Sequence, residues 1–315
     1  MNVRSTMVHK VHAYLVERRE AGFALKISGQ QLAEFASFTD ATGYRGPLTM
    51  DVATRWATAS RGGRRITSAR RIEVLRCFAS YCRSRDHISV VPPRMLFGPA
   101  HRRLTPHIYS LVELRTLMRS ARTLNPPGGL RGETCATVIG LMASCGLRIS
   151  EAVALRRQDV DLVRGCLAVR DSKFGKSRLV PMHSTTCRAL KRYASRRDQF
   201  VAASLSDAFF VFEQGRFLTA RHIHYAFRSV RLSLGRRPTG AHPRYRLHDL
   251  RHSFVCRRLE RWYQQGVDID RQMLALSTYV GHVKPDDTYW YVTATPRLLS
   301  LAARRVERSG FGGVV

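Results

Sequence analysis

Along residues 7–90 apolar positions return every three or four residues, the interval that places side chains on one face of an α-helix. Met7, Val8, Val11, Tyr14 and Leu15 form one stripe, and Leu32, Phe35 and Ala36 a second. Thr49 reads as a helix N-cap, its hydroxyl placed to accept from the first turn of a helix that carries Val52 and Trp56 inward. A fourth helix opening at Thr67 carries Ile72, Leu75, Phe78 and Ala79. Between Val91 and Pro106 the period stops, because Pro92, Pro93, Gly98, Pro99 and Pro106 interrupt any helix. Helical spacing resumes over 111–124, 135–143 and 150–156. It gives way to a period of two over 166–170 and 178–182, two strands around a turn at Gly175. Further helices follow over 184–200, 220–234, 248–265 and 270–278.

The pattern predicts a mainly α fold with a small β-hairpin or sheet, an α+β second domain rather than a βαβ series. The expected division is a helical N-terminal domain over 1–91, a linker over 92–105, and a second domain over 106–315 ending in a tail. The length of 315 residues agrees, since single domains usually run to roughly 100–200. In the tail, Leu298, Leu299, Ala302 and Val306 form a stripe too short to hold a helix in water unless it docks, on its own domain or on a neighbouring protomer.

Charge narrows the class of partner. Lys plus Arg number 53 against 23 Asp plus Glu, a net charge of +30, and such self-repulsion calls for a polyanion: nucleic acid first, an anionic membrane surface second. Arginine dominates the cations, as suits bidentate phosphate recognition, although GC-rich codon usage accounts for the bias equally well. Arg64, Arg65, Arg70, Arg71 and Arg76 crowd the entry and outer face of the fourth helix; the expectation is that Arg64, Arg65, Arg70 and Arg71 grip the DNA backbone, with Lys176 of the hairpin as a further contact. The seven cysteines are scattered with no CxxC pair, which points to a reducing cytoplasm. The longest mostly apolar run, Cys135 to Leu147, is too short to span a bilayer.

Two local motifs compete for chemistry. Gly175-Lys176-Ser177 imitates the end of a phosphate loop, but its flanks read as strands and the required earlier glycine is Arg170. His248-Asp249-Leu250-Arg251-His252 imitates the zinc-binding HExxH helix of metalloproteases, yet Arg251 on the same helix repels a dication and no third ligand stands out. A wider constellation absorbs more of these residues: Gly146-Leu147-Arg148-Ile149-Ser150-Glu151, then Lys173, then His248-x-x-Arg251, then Gly281-His282, then Tyr291. In this order the chain resembles the tyrosine recombinases, the family of phage and transposon integrases, across the whole second domain.

The resemblance implies that Arg148 and Arg251 clamp a phosphate, Lys173 protonates the leaving oxygen, His248 and His282 support them, and Tyr291 is the nucleophile. Tyr291 stands nine residues beyond His282, the spacing of the family pattern, whereas Tyr289 is misplaced by two, and Glu151 fits the acidic position after the first arginine. Val280 replaces a common leucine, and Lys284-Pro285-Asp286-Asp287 replaces a stretch usually rich in serine and threonine. The implied activity is site-specific recombination of double-stranded DNA through a 3′-phosphotyrosyl link, for a mobile element. The implied assembly is four protomers on paired sites, with or without companion recombinases, each closing on the duplex as a clamp. Neither metal nor cofactor is called for, because guanidinium groups can supply the positive charge that stabilises the transition state. The alternatives are a type IB topoisomerase, a DNA-binding protein with an inactive site, and the metalloprotease reading of His248 and His252.

Overall fold

Thr6 and Thr49 open the first and third helices of the N-terminal unit by accepting from the backbone of His9 and Val52. The computed structural model describes residues 6–60, 62–101, 103–171, 175–202, 206–282, 284–293 and 295–310. The chain divides into one unit spanning Met1–Arg103 and another spanning Leu104–Val315. The first holds α1 (Met7–Glu20), α2 (Lys26–Ala41), α3 (Met50–Thr58) and α4 (Arg65–Asp86). Their apolar faces meet in one core, in which Phe35 and Trp56 pack edge to face at 5.2 Å and Tyr14 and Phe78 at 5.6 Å. Val8, expected in the first stripe, lies at its margin and stays exposed. The fourth helix begins at Arg65, two residues before the expected Thr67.

Several arginines expected on the DNA backbone have partners inside this unit. Arg65 Nε donates to the Phe97 carbonyl and Arg70 Nε to that of Ala100, each at 3.0 Å. Arg71 Nη1 donates to the Trp56 carbonyl at 2.9 Å, its guanidinium lies 4.9 Å over the Trp56 ring, and its Nη2 reaches Glu34 at 3.4 Å. Arg76 Nη1 donates to the Pro92 carbonyl. Arg65, Arg70 and Arg76 stitch α4 to the proline-rich segment that follows it, and Arg71 ties α4 to α3 and α2.

In the second unit, α5 (Leu111–Arg122) and α6 (Leu130–Cys145) form an antiparallel pair, followed by the short α7 (Ile149–Val153). Leu130, Ala136, Val138, Ile139, Leu141 and Met142 make α6 apolar on nearly every side, and it runs through the middle of the core against α5, α8 and α10. The helix expected over 150–156 stops at Val153 and gives way to a 3-10 turn over Arg157–Asp159. An antiparallel sheet follows, β1 (Val160–Asp161), β2 (Cys166–Val169) and β3 (Arg178–Pro181), in that order, with Leu167 opposite both Val160 and Val180. β1 escaped the sequence pattern because two residues cannot display a period.

Then come α8 (Ser184–Phe200), α9 (Ala220–Val230), α10 (His248–Gln264), α11 (Ile269–Val280), α12 (Asp286–Tyr289) and α13 (Pro296–Gly310). α13 docks on α10 of the same chain: Leu298 is fully buried, Arg297 Nε lies 3.8 Å from Glu260, and Arg305 donates to the Val267 carbonyl at 2.5 Å. The fold is mainly helical with one small antiparallel sheet, and among the described residues no helix is long and apolar enough to cross a membrane.

Candidate active site

Two glycines that end helices in the left-handed conformation frame the site. Gly146 closes α6 with φ 64°, and a Cβ there would meet Phe254 Cδ1 at 2.5 Å, so only glycine fits. The turn sends Leu147 into the core and leaves Arg148 half-buried at the entry to α7. Glu151, one turn on, receives Arg148 N at 2.9 Å on one oxygen and Arg148 Nη1 at 2.8 Å on the other. Gly281 closes α11 with φ 70°, and its carbonyl accepts from Arg148 Nη2 at 2.9 Å.

α10 supplies the second arginine. Its Asp249 is fully buried and held by Arg246 Nη2 at 2.6 Å. The side chain of Arg251 runs inward, where Nη1 donates to the Gly146 carbonyl at 2.8 Å and Nη2 to that of Val280 at 2.6 Å. Burial, and then the neighbouring Arg148, lowers its pKa to about 10, which still leaves a cation at neutral pH.

Beyond α11, His282 Nδ1 lies 2.7 Å from the buried Thr288 hydroxyl, and its ring stacks on that of Tyr291 at 6.0 Å. Tyr291 occupies a 3-10 turn, Trp290–Thr293, with 3% of its surface exposed. Its phenol oxygen is 2.8 Å from His252 Nδ1, and His252 in turn packs edge-on against His248 at 4.6 Å. Tyr289 turns to solvent and donates to Asp270 at 3.0 Å.

The electrostatics follow from burial among cations. Burial raises the Tyr291 phenol to about 12 against the pull of Arg251 and Arg148. Loss of hydration, reinforced by nearby arginines, holds His248 at about 4 although part of its ring is open, and His282 at about 3. His252, flanked by His248 as well, falls to about 2. Burial would raise Glu151, but hydrogen bonds from Arg178 and Arg148 more than reverse it, to about 2. At neutral pH the site therefore holds a carboxylate, guanidinium cations, neutral imidazoles and a protonated phenol.

Arg148, His248, Arg251, His282 and Tyr291, drawn from four segments of chain, thus come together. Lys173 lies outside the described residues. Lys176 is exposed on the hairpin, and Arg64, Arg65, Arg70 and Arg71 belong to the N-terminal unit. Gly175-Lys176-Ser177 leads into strand β3 rather than a helix, which removes the phosphate-loop reading. The zinc-helix reading gains no third ligand: among the described residues no group of three His, Cys, Asp or Glu could hold a metal. Sequence reasoning missed two members of the cluster. His252 carries a signal, since it lies on the same helical face as His248, but its HExxH-like spacing suggests a metal ligand. Arg178 carries none.

The integrase/recombinase provisionally named y4rB, of Sinorhizobium fredii, is 36% identical over 310 residues, 96% of this chain and 98% of its own length. Tyrosine recombinase XerC of Chlamydia muridarum is 28% identical over 232 residues, 74% of this chain and 68% of its own. Among solved structures, the Tn1549 transposon integrase in complex with transposon right end DNA superimposes with a TM-score of 0.68 at 14% identity, covering 95% of this chain and 98% of that one. The XerH recombinase bound to its palindromic difH substrate gives 0.63 at 18%, covering 88% and 78%. These two share the fold. A model of the phage integrase family matches residues 112–297, from the start of α5 to the start of α13, the stretch that carries every member of the cluster described above. By this match and its likeness to y4rB over nearly the whole length, the chain belongs to the phage integrase family.

Proposed function

We propose that this protein is a site-specific DNA recombinase that cuts and rejoins double-stranded DNA through Tyr291. In the proposed step the Tyr291 oxygen attacks phosphorus and the bond to the 5′ oxygen breaks. The leaving oxygen takes a proton from Lys173, and the phenol proton passes to the imidazole cluster, where His252 Nδ1 already touches it. The product is a 3′-phosphotyrosyl ester and a free 5′-hydroxyl. Attack by another 5′-hydroxyl reverses the chemistry on a new strand, without ATP, because one phosphoester is exchanged for another. Arg148 and Arg251 neutralise the phosphate oxygens that would otherwise repel the incoming phenol, and His248 and His282 flank them.

The observation that carries this reading is the shared anchoring of the two arginines: Arg251 is held by the carbonyls of Gly146 and Val280, and Arg148 by that of Gly281, immediately before the histidine stacked on Tyr291. Guanidinium groups anchored this way meet a phosphate without first being reorganised. The y4rB relative, an integrase/recombinase by name, supports recombination, and the family resemblance supports service to a mobile element, with a tetramer on paired sites, with or without companion recombinases. DNA-backbone contact is assigned to Arg64, Arg65, Arg70, Arg71 and Lys176, with the larger share to Arg64 and the smaller to Arg71, already engaged on Trp56.

The test is capture. Full-length protein is incubated with a random-sequence duplex library and quenched in detergent, and DNA bound covalently to protein is recovered and sequenced. A defined cut site, with the adduct on Tyr291 by mass spectrometry, is the expected result. No adduct, or one on another residue, overturns the assignment. Four-way junctions formed from two captured sites separate a recombinase from a topoisomerase acting alone.

A further inference from the structure

Three consecutive carbonyls at the end of α11 are each held by a different guanidinium. Tyr279 accepts from Arg178 Nε at 2.8 Å, Val280 from Arg251 Nη2 at 2.6 Å, and Gly281 from Arg148 Nη2 at 2.9 Å. The last carbonyls of a helix have no partners within it and sit at the negative end of its dipole, so they form a natural seat for cations. Two of the three arginines have a place in the proposed chemistry. Arg178, at the start of β3, has none.

Its bonding explains why it is there. Arg178 Nη1 and Nη2 form a fork on Glu151, at 3.1 and 2.9 Å, the carboxylate that also receives the backbone and side chain of Arg148. With Nε on Tyr279 and both terminal nitrogens on Glu151, Arg178 spends all three guanidinium nitrogens within the protein. Arg148 commits one terminal nitrogen to Glu151 and the other to Gly281, and with 23% of its side chain exposed keeps a side open. Arg178 also lies flat against Gly281, where an added Cβ would come within 2.7 Å of its Nη1. The residue after that glycine is His282.

We infer that Arg178 is a positioning residue for the reaction: it holds Glu151 and the Gly281-His282 turn in place and balances the Glu151 charge, leaving the charge of Arg148 available to the phosphate. Without Arg178 the buried carboxylate has Arg148 as its one guanidinium partner, and the phosphate meets a cation already spent. Lysine does not substitute, since a single ammonium cannot fork onto the carboxylate and reach the Tyr279 carbonyl as well. This inference rests on the reading of Arg148 as a phosphate-binding residue.

The test compares two forms of the DNA site recovered by capture, the natural phosphodiester and a methylphosphonate at the cut position, in which a methyl group replaces one non-bridging oxygen and removes the negative charge. Adduct formation is measured for full-length wild type, Arg178→Lys and Arg178→Gln. On the phosphodiester both variants are expected to lose roughly 10- to 100-fold in rate with DNA affinity little changed. On the methylphosphonate the ratio to wild type is expected to return to within a few-fold of one, because no charge remains to be neutralised. Adding Glu151→Gln to Arg178→Gln is expected to restore part of the lost rate, since it removes the charge that required balancing; this arm guards against a fold defect, which a second substitution would deepen. Equal losses on both substrates, rates equal to wild type, or additive losses in the double variant overturn the inference. Absence of an adduct with wild type removes the functional reading itself, and the inference falls with it.

Discussion

The Nδ1 atom of His252 lies 2.8 Å from the phenol oxygen of Tyr291, 39 residues further along the chain. Burial keeps the phenol protonated and the imidazole neutral, and in the tautomer that carries the imidazole hydrogen on Nε2 the phenol donates to Nδ1. The resting hydrogen bond aims the tyrosine and marks the first acceptor its proton meets. His252→Phe keeps a ring and removes the acceptor. Adduct formation is expected to slow about tenfold, the worth of one net hydrogen bond of about 1.4 kcal/mol, with DNA affinity unchanged. A rate equal to wild type in a quenched single-turnover assay would assign that contact to packing alone.

Tyr291→Phe should bind DNA as wild type does and form no covalent adduct. Tyr289→Phe should form it at close to the wild-type rate, because Tyr289 faces solvent and bonds Asp270. Denaturing gels of both variants on the captured DNA check this pair of outcomes.

The depressed pKa values carry a pH dependence of stability. His252 and His282 fall from 6.5 to about 2 and about 3 on folding, and Glu151 from 4.5 to about 2. In each case the unfolded chain binds the proton more readily, so the stabilisation is complete above the unfolded value and is lost as pH falls toward the folded one. The free energy of unfolding measured in urea should decline from just below pH 6.5, by about 2 kcal/mol per imidazole at about pH 5. Glu151→Gln should flatten only the part of the curve below pH 4.5.

In the N-terminal unit, Arg71→Ala should cost stability first, about 1–3 kcal/mol, through the lost Trp56 carbonyl bond and cation–π contact. Arg64 is exposed at the start of α4. Neutralising Arg64 should leave the melting temperature unchanged and reduce the slope of log K against log salt by about one phosphate contact. A larger slope change for Arg71→Ala than for Arg64→Ala would reverse this ranking.

Truncation after Thr295 removes α13 and with it Leu298, which packs in the same apolar cluster as Tyr291, Leu259 and Met273. The expected loss is at least the 1.5–3 kcal/mol, roughly, of one buried leucine, seen as a lower melting temperature in the isolated monomer. An unchanged melting temperature would show that docking on α10 adds nothing in the monomer.

What the sequence determined by itself was whatever depends on neighbours within a turn or a strand pair. Periodic apolar positions placed most of the helices and the β2–β3 hairpin, and the proline-rich stretch after Val91 lies where regular helix stops. The order Arg148, His248, Arg251, His282, Tyr291 was legible because each of these residues sits in a short pattern of its own. Tertiary structure decided which of them touch and what holds them. Arg148 meets Gly281 across 133 residues, Arg251 meets Gly146 across 105, and Arg178 meets Glu151 across 27, contacts for which no local period leaves a trace. It also turned Arg71 onto Trp56 and α13 onto α10, outcomes that composition leaves open because an exposed cation and a docked one look alike in a sequence. The physical reason lies in burial. A guanidinium or a phenol takes its charge state and its direction from the carbonyls and cations packed around it, and these are assembled from distant segments only once the core has closed.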